Sequence, residues 1–218
     1  MPASLSWHEA AAIPEAFITA HDALSQCGLG CGESVLVHAV GSGVGAAAVQ
    51  VAGVMGATPI LGTAGSADKL AAAKKLGLDI GIDYKSEDFV DATKRATGGR
   101  GADIIVDFIA AAYLERNVRA LATCGRMVVI GLLGGLRAEL DLGLLLAKRA
   151  SIRGTVLRAR PLEEKAAATR AFEKAVLPHI ASGRVRAVVD SVYPLARAAD
   201  AHRYMESNAN FGKIVLEV

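Results

Sequence analysis

Gly41-Ser42-Gly43-Val44-Gly45 stands between an apolar run, Val35-Leu36-Val37-His38-Ala39-Val40, and Ala46-Ala47-Ala48-Val49-Gln50-Val51-Ala52, which has the content of a buried helix. A strand, a glycine turn and a helix in that order present free backbone N–H groups and a helix N-terminus to a phosphate. About twenty residues past such a turn, a site for NAD carries an acid for the ribose 2′-hydroxyl. Here that region reads Gly62-Thr63-Ala64-Gly65-Ser66-Ala67-Asp68-Lys69. Ala64 takes the place of the acid. Ser66 and Lys69 offer a hydroxyl and a positive charge to a 2′-phosphate, which an acid would repel. Tyr84, in Ile82-Asp83-Tyr84-Lys85, can lie over the adenosine half with its hydroxyl free for phosphate. These residues point to NADPH.

The turn departs from a strict G-x-G-x-x-G. Aligned on Gly45 as third glycine, the first two positions hold Val40 and Ser42. Serine still permits close approach and adds a hydroxyl donor. Ser66 also stands where it would cap the next helix, which does not exclude a ligand role.

The elements that must position these residues alternate regularly. Strands are predicted near 35–40, 58–63, 80–82, 103–107, 126–130 and 151–154, with helices near 44–55, 66–76, 86–97, 111–122 and 141–149. Gly77 follows a basic last turn, Lys74-Lys75, and stops that helix; Gly98-Gly99 and Gly125 are assigned the same task for the next two. Ser86 before Glu87-Asp88 reads as a helix cap. Such alternation specifies an α/β fold, a Rossmann-type doubly wound parallel six-stranded sheet with both faces covered. The ends break the pattern. A helix-like stretch at 15–26 precedes the first strand; a helix at 161–182, a strand at 185–193, a helix at 195–206 and a strand at 214–218 follow the last. The two terminal strands stand apart from the core and need a partner sheet.

At 218 residues, 52% hydrophobic, the chain can bury the core of one domain, or of one domain and a small partner. A net charge of +2 without a Lys/Arg run gives nucleic-acid binding no support. Ser34 to Ala67 contains no Asp, Glu, Lys or Arg, yet Gly41, Gly43, Gly45, Gly53, Gly56, Pro59 and Gly62 cut it into blocks of strand or short-helix length. It reads as a buried strand–helix–strand and not a membrane span. Met1-Pro2-Ala3-Ser4 lacks the basic start and apolar region of a leader. Cys27, Cys31 and Cys124 suggest no disulfide framework, so a reducing, cytoplasmic location is expected. Cys27 and Cys31 lack the further ligands of a tetrahedral site, and no metal is expected. His38 reads as a core histidine. No G-x-S-x-G occurs, which removes a hydrolase reading.

The chain resembles the zinc-independent quinone oxidoreductases of the medium-chain dehydrogenase/reductase superfamily, the zeta-crystallin-like group, and within it the tumour-suppressor-inducible subgroup. The residues that carry this are Glu9-Ala10-Ala11-Ala12-Ile13-Pro14-Glu15 with Thr19-Ala20, Ser42-Gly43-Val44-Gly45, and Thr63-Ala64-Gly65-Ser66 with Lys69. Asp83-Tyr84-Lys85 with Glu87-Asp88-Phe89, Gly131-Leu132-Leu133-Gly134-Gly135, Leu177-Pro178, Tyr193-Pro194 and Gly212-Lys213-Ile214-Val215-Leu216 continue it to the end. The resemblance implies Thr19 near the nicotinamide and Ser42, Gly43 and Val44 at the pyrophosphate. It implies Gly65, Ser66, Lys69 and Tyr84 around the 2′-phosphate, and Phe108 and Ile109 past the fourth strand. Gly131, Leu132 and Leu133 would place backbone atoms by the carboxamide, with Leu157, Arg158 and Asn210 completing the site. Where relatives have a glycine pair after the fourth strand, this chain has Ala110-Ala111, whose methyls would tighten that loop around Ile109.

The resemblance further implies that full-length relatives carry a GroES-like domain of roughly 100–120 residues ahead of Met1, a usual domain size. Residues 1–20 would then be a hinge remnant, 21–184 the NADPH-binding domain and 185–218 a segment returning to the missing domain. The chain would be a shortened product or a naturally shortened relative. The activity implied is hydride transfer from NADPH to a quinone or conjugated carbonyl, no catalytic acid or base being required of the chain. Two other readings stay open: a nucleotide-binding protein without turnover, and an enoyl-reductase module from a larger synthase. A homodimer through the open edge of the sixth strand is expected, as in relatives.

Overall fold

Val35, Leu36 and Val37 point alternately to opposite faces of a sheet, yet all three are fully buried. Such a strand needs helices on both sides. In the computed structural model, which describes Pro2 and residues 5–218, that is how β1 (Val35–Val37) is placed. Met1, Ala3 and Ser4, read above for a leader, lie outside the described residues.

The chain opens with α1 (Trp7–Ala12) and α2 (Pro14–Gln26). After β1 come α3 (Gly43–Val54), β2 (Ile60–Ala64), α4 (Ala67–Lys74), β3 (Ile80–Asp83), α5 (Phe89–Ala96) and β4 (Ala102–Asp107). A 3-10 turn (Ala110–Tyr113) leads into α6 (Leu114–Ala120), β5 (Leu121–Val129), α7 (Leu142–Lys148) and β6 (Ser151–Gly154). Then follow α8 (Leu162–Ala175), α9 (Leu177–Ala181), β7 (Val189–Pro194), a second 3-10 turn, α10 (Ala198–Glu206) and β8 (Lys213–Glu217). Strands β1 to β6 form one parallel sheet in the order β3-β2-β1-β4-β5-β6. This is the doubly wound fold expected, with its switch point between β1 and β4.

The core divides along the sheet. Val35, Val37, Ile104 and Val106 face α2, α3 and α8; Leu36, Ile105, Leu61 and Met127 face α5 and α6. Several predicted boundaries move. The first strand stops at Val37 because Ala39 turns left-handed at φ +49°. Asp88, not Ser86, caps α5, its carboxylate accepting from Val90 and Asp91; the Ser86 hydroxyl donates to the Asp83 carbonyl instead. Gly125 closes no helix: α6 ends at Ala120, and Gly125 lies in an irregular stretch of β5 where the register to β4 shifts. The helix at 161–182 breaks at Val176, since Pro178 cannot donate an amide to a continuous helix. Residues 185–188 are not strand; β7 begins at Val189. The terminal strands find their partner in each other, pairing in parallel as a separate two-stranded sheet.

Arg126 on β5 anchors the connection from α2 to β1. It meets the Glu33 carboxylate with two nitrogens at 2.7 Å and donates to the carbonyls of Cys27 and Gly28. The guanidinium holds the Glu33 carboxyl below its ordinary value of 4.5. A carboxyl depressed on folding contributes stability above its unfolded pKa, and loses it as pH falls through the lower folded value. Urea unfolding of the wild type is therefore expected to lose about 1 kcal/mol below pH 4.5 that a Glu33→Gln variant does not lose, both partners keeping some solvent contact. Identical acid limbs in the two proteins would remove this role.

Candidate functional site

The turn after β1 is shaped by backbone, not by side chains. Ser42 has extended backbone and caps α3, its hydroxyl accepting from the Gly45 N–H at 3.0 Å while its own O–H stays free to donate. The N–H groups of Gly43 and Val44, first in the helix, have no intrahelical acceptor and point toward the open end. Gly45 is forced by contact: a Cβ there would overlap the Ala39 carbonyl oxygen and lie 2.9 Å from Ser42 Oγ. Ala39 and Ala110, just beyond the ends of β1 and β4, both have positive φ, +49° and +64°. Each holds about 1–2 kcal/mol of strain that a glycine would not. Buried Asp107 supports the second by accepting from the N–H groups of Ile109 (2.8 Å) and Ala110 (3.1 Å). Thus the Ala110 methyl is accommodated in a left-handed turn held from below.

Beside the turn opens a cleft of about 520 Å³. Of the residues assigned from sequence, Ser42, Gly43, Gly65, Lys69, Tyr84, Ile109, Leu133 and Asn210 line it. Tyr84 is half exposed, and its ring closes on Gly65, where a Cβ would come within 2.8 Å of Cζ. Ser66 is not among the lining residues; it caps α4, accepting from Lys69 N at 3.4 Å. The Lys69 stem crosses Gly41, whose Cβ would lie 2.7 Å from Cδ, and its ammonium donates to the Asn208 carbonyl. Burial pulls the Lys69 ammonium below the ordinary lysine range; Asp190 pushes the other way and Lys85 adds to the lowering. Asn210 donates to the Gly212 carbonyl at 3.1 Å. Among the described residues lining this cleft the charged side chains are Lys69 and Lys213, and none is a carboxylate.

A second cleft of about 740 Å³ lies past the ends of β5 and β6, and Thr19, Leu157 and Arg158 line it. Its loop is fixed by Asp22, whose carboxylate accepts two nitrogens of Arg160 at 3.0 and 2.6 Å, with Gln26 and Thr155 joining. Both partners of that pair are largely buried. Glu15 lines the same cleft.

Val44, Phe108, Gly131 and Leu132 line neither cleft. Phe108 departs from its assignment: its side chain is buried in the core, and what it contributes is a carbonyl. That oxygen accepts from Leu133 N at 3.1 Å, Ile109 accepts from Gly134 N at 2.7 Å, and a Cβ on Gly131 would lie 2.9 Å from Phe108 O. The loops after β4 and β5 are thereby zipped by backbone, with Gly131 and Gly134 at the contact.

His38 is fully buried. Nδ1 meets Thr63 Oγ1 at 3.0 Å and Nε2 meets Asn117 Oδ1 at 2.7 Å, between the rings of Phe89 and Tyr113. Since Asn117 Oδ1 only accepts, Nε2 carries the proton and Nδ1 accepts from Thr63. Burial holds the imidazole below its ordinary range, so it is a neutral core group. Burial likewise pushes the Cys27 thiol up to about 11.

Sequence reasoning assigned no site role to Glu15, Asp22, Asn208 or Lys213. Lys213 lies about 170 positions past the turn it reaches, and no periodicity links them; only its place beside Gly212 marked it.

A family model described as "Zinc-binding dehydrogenase" matches residues 43–174. A phenolphthiocerol/phthiocerol polyketide synthase polypeptide of Mycobacterium tuberculosis is 36% identical over 220 residues, taking in 100% of this chain and 10% of the synthase. The quinone oxidoreductase of Rattus norvegicus is 33% identical over 222 residues, 99% of this chain and 64% of that protein. The chain thus spans less than two thirds of these curated relatives. A solved NAD-dependent alcohol dehydrogenase superposes with a TM-score of 0.88 at 38% identity, over 100% of this chain and 60% of that one. The quinone oxidoreductase of Thermus thermophilus, solved also in complex with NADPH, superposes with a TM-score of 0.88 at 32% identity, over 100% and 69%.

Proposed function

This chain belongs to the zinc-binding dehydrogenase family of the medium-chain dehydrogenase/reductase superfamily, among its quinone-oxidoreductase-like members, and from that premise we propose NADPH-dependent reduction of a quinone or conjugated carbonyl. The relatives pull two ways on the cofactor, one named for NAD and one solved with NADPH. The charge of the cleft favours the second: Ala64 stands where a ribose acid would, and Lys69, with no carboxylate among the described lining residues, offers a positive charge to a 2′-phosphate. This observation carries the reading.

The residues present fit a dinucleotide. Gly41, Gly43 and Gly65 let the Lys69 stem, the Lys213 stem and the Tyr84 ring lie directly against the backbone, where a Cβ would collide with each. Ser42, Gly43 and Val44 would take the pyrophosphate, Lys69, Ser66 and Tyr84 the 2′-phosphate, and the zipped loops at Ile109 and Gly131–Leu133 the carboxamide end, with Thr19, Leu157, Arg158 and Asn210 around them. Bound NADPH supplies the hydride, two electrons and a proton, and the reduced quinone oxygen takes its remaining proton from water. The chain's share is orientation and exclusion of water. No metal enters this reading, and burial keeps the Cys27 thiol protonated at neutral pH.

We assign residues 21–184 to the cofactor unit, and 1–20 with 185–218 to a second unit, supported by the separate β7–β8 sheet. Two copies would pair through β6, whose edge is exposed beside Leu142 and Leu146. Among the described residues no helix is long and apolar enough to cross a membrane; we propose a cytoplasmic site of action. The match to a polyketide synthase over the whole chain supports a second acceptor class, an enoyl thioester.

Titration of the protein with both cofactors is expected to show NADPH binding at least about tenfold tighter than NADH, about 1.4 kcal/mol. Equal affinities would remove the argument from charge. If NADPH binds and no quinone, enone or enoyl thioester oxidises it, with this chain alone or joined to an N-terminal domain, a binding protein without turnover is the better reading.

A further inference from the structure

One ion pair links the walls of the two clefts. Glu15, in the first turn of α2, lines the larger cleft; Lys213, first residue of β8, lines the smaller. Lys213 Nζ meets Glu15 Oε2 at 2.9 Å. The backbone puts it there: Gly212 N donates to the Gly41 carbonyl at 2.9 Å, Gly212 bridges Ser42, and Lys213 N donates to Val188 O at 2.8 Å. Its stem then lies flat on Gly43, where a Cβ would overlap Cδ and lie 2.9 Å from Cγ. Gly43 is therefore required for this lysine as much as for any ligand.

A dinucleotide with its ends in the two clefts must carry its pyrophosphate across this ridge. Two negative charges would then arrive beside the N–H groups of Gly43 and Val44, next to a lysine whose ion-pair partner among the described residues is a solvent-exposed carboxylate. Exposed pairs of this kind are weak and exchange readily, whereas ammonium–phosphate hydrogen bonds are among the strong ones.

We propose that Lys213 is a pyrophosphate-binding residue, which leaves Glu15 for the phosphates when the cofactor enters, so that the Glu15–Lys213 pair is a latch across the groove. This rests on the cofactor reading above. Lys69 reads the 2′-phosphate and separates NADPH from NADH; Lys213 reads what the two share. Glu15 competes with the ligand and opposes its binding.

The test is a set of dissociation constants for NADPH, NADH, ADP-ribose and adenosine 2′-monophosphate. Lys213→Gln is expected to lose about tenfold for the first three, the worth of one charge-assisted hydrogen bond, and nothing for the fourth, which has no pyrophosphate. Lys213→Arg keeps the charge and should keep the affinity, which separates loss of the cation from damage to the fold. Glu15→Gln is expected to bind all three tighter than wild type. The proposal is overturned if Lys213→Gln binds ADP-ribose as wild type does. It is equally overturned if Glu15→Gln loses as much as Lys213→Gln, since the pair would then be a structural tie. Wild-type protein that binds none of the dinucleotides would overturn the cofactor reading, and the latch with it.

Discussion

Replacing Lys69 by methionine is expected to weaken NADPH binding by about 10- to 100-fold and NADH binding by less than about twofold, the range of a hydrogen bond to a charged group. Methionine is the informative choice because the Lys69 stem packs across Gly41, and an unbranched thioether keeps that cover while removing the charge. In the structure the ammonium is spent on the Asn208 carbonyl; two N–H donors remain for a ligand. Among the described residues lining the cleft no acid competes for them. The pH dependence has a definite sign. Only the protonated amine attracts a phosphate, and burial lowers the Lys69 pKa from 10.5. The preference for NADPH should therefore fade on the alkaline side before an ordinary lysine loses its proton, and in the methionine variant no such limb should appear. Parallel loss of both cofactors in Lys69→Met would instead make this residue a strut for the turn.

The second large effect is on stability. Gln50→Ala is expected to cost about 1–3 kcal/mol in urea unfolding, as two part-buried backbone groups of Arg186 lose their partner. Gln50 sits on α3, almost wholly buried, facing the chain where it leaves α9 for β7. Its carboxamide donates to the Arg186 carbonyl at 3.0 Å and accepts from the Arg186 N–H at 2.9 Å. This imitates one rung of a sheet ladder and ties the C-terminal segment to the helix that begins at the phosphate turn. Amide exchange should quicken from Val189 through β8, the segment that carries Asn208, Asn210 and Lys213, while β1 and β4 stay protected. A loss under about 0.5 kcal/mol, the ordinary scatter for a surface change, would show that water replaces the carboxamide without penalty.

The two lysine straps and the Gln50 rung share a feature. Each joins the sheet's central turn to residues that follow it by more than one hundred positions or by an intervening βα unit. The phosphate turn is thus held open at its base by glycines and roofed by groups from other parts of the chain. Gly41 and Gly43 read in isolation are a modest signal, because tight strand–helix packing uses glycine as well. What makes them a site is the pair of lysine stems that need the missing side chains.

Much of the fold was legible because its causes are local. An apolar run ahead of a glycine turn, a serine cap at Ser66, and glycines after basic helix ends all act within a turn or two. The β/α alternation, the glycine turn, Ala64 in the acid's place and the cap at Ser66 follow from residue type and short spacing. Where two nearby candidates competed, as Ser86 and Asp88 did for the α5 cap, composition did not decide; the hydroxyl that had a closer carbonyl took it, and the carboxylate took the amides.

Long-range geometry alone decided the rest. The terminal strands, read as lacking a partner, pair with each other because Gly212 is stitched to Gly41 and Arg186 to Gln50. Phe108 is a core side chain whose carbonyl ties down the next loop because the loops after β4 and β5 meet through their backbones. Ala39 and Ala110 are left-handed, a strain that no alanine announces in sequence. Lys213 reaches the phosphate turn only once β8 is in place. The alternation and the turn are encoded in hydrogen-bond patterns and steric needs a few residues long. The charges that would tell one nucleotide from another are brought together by tertiary contacts, whose energy depends on positions that no local period records.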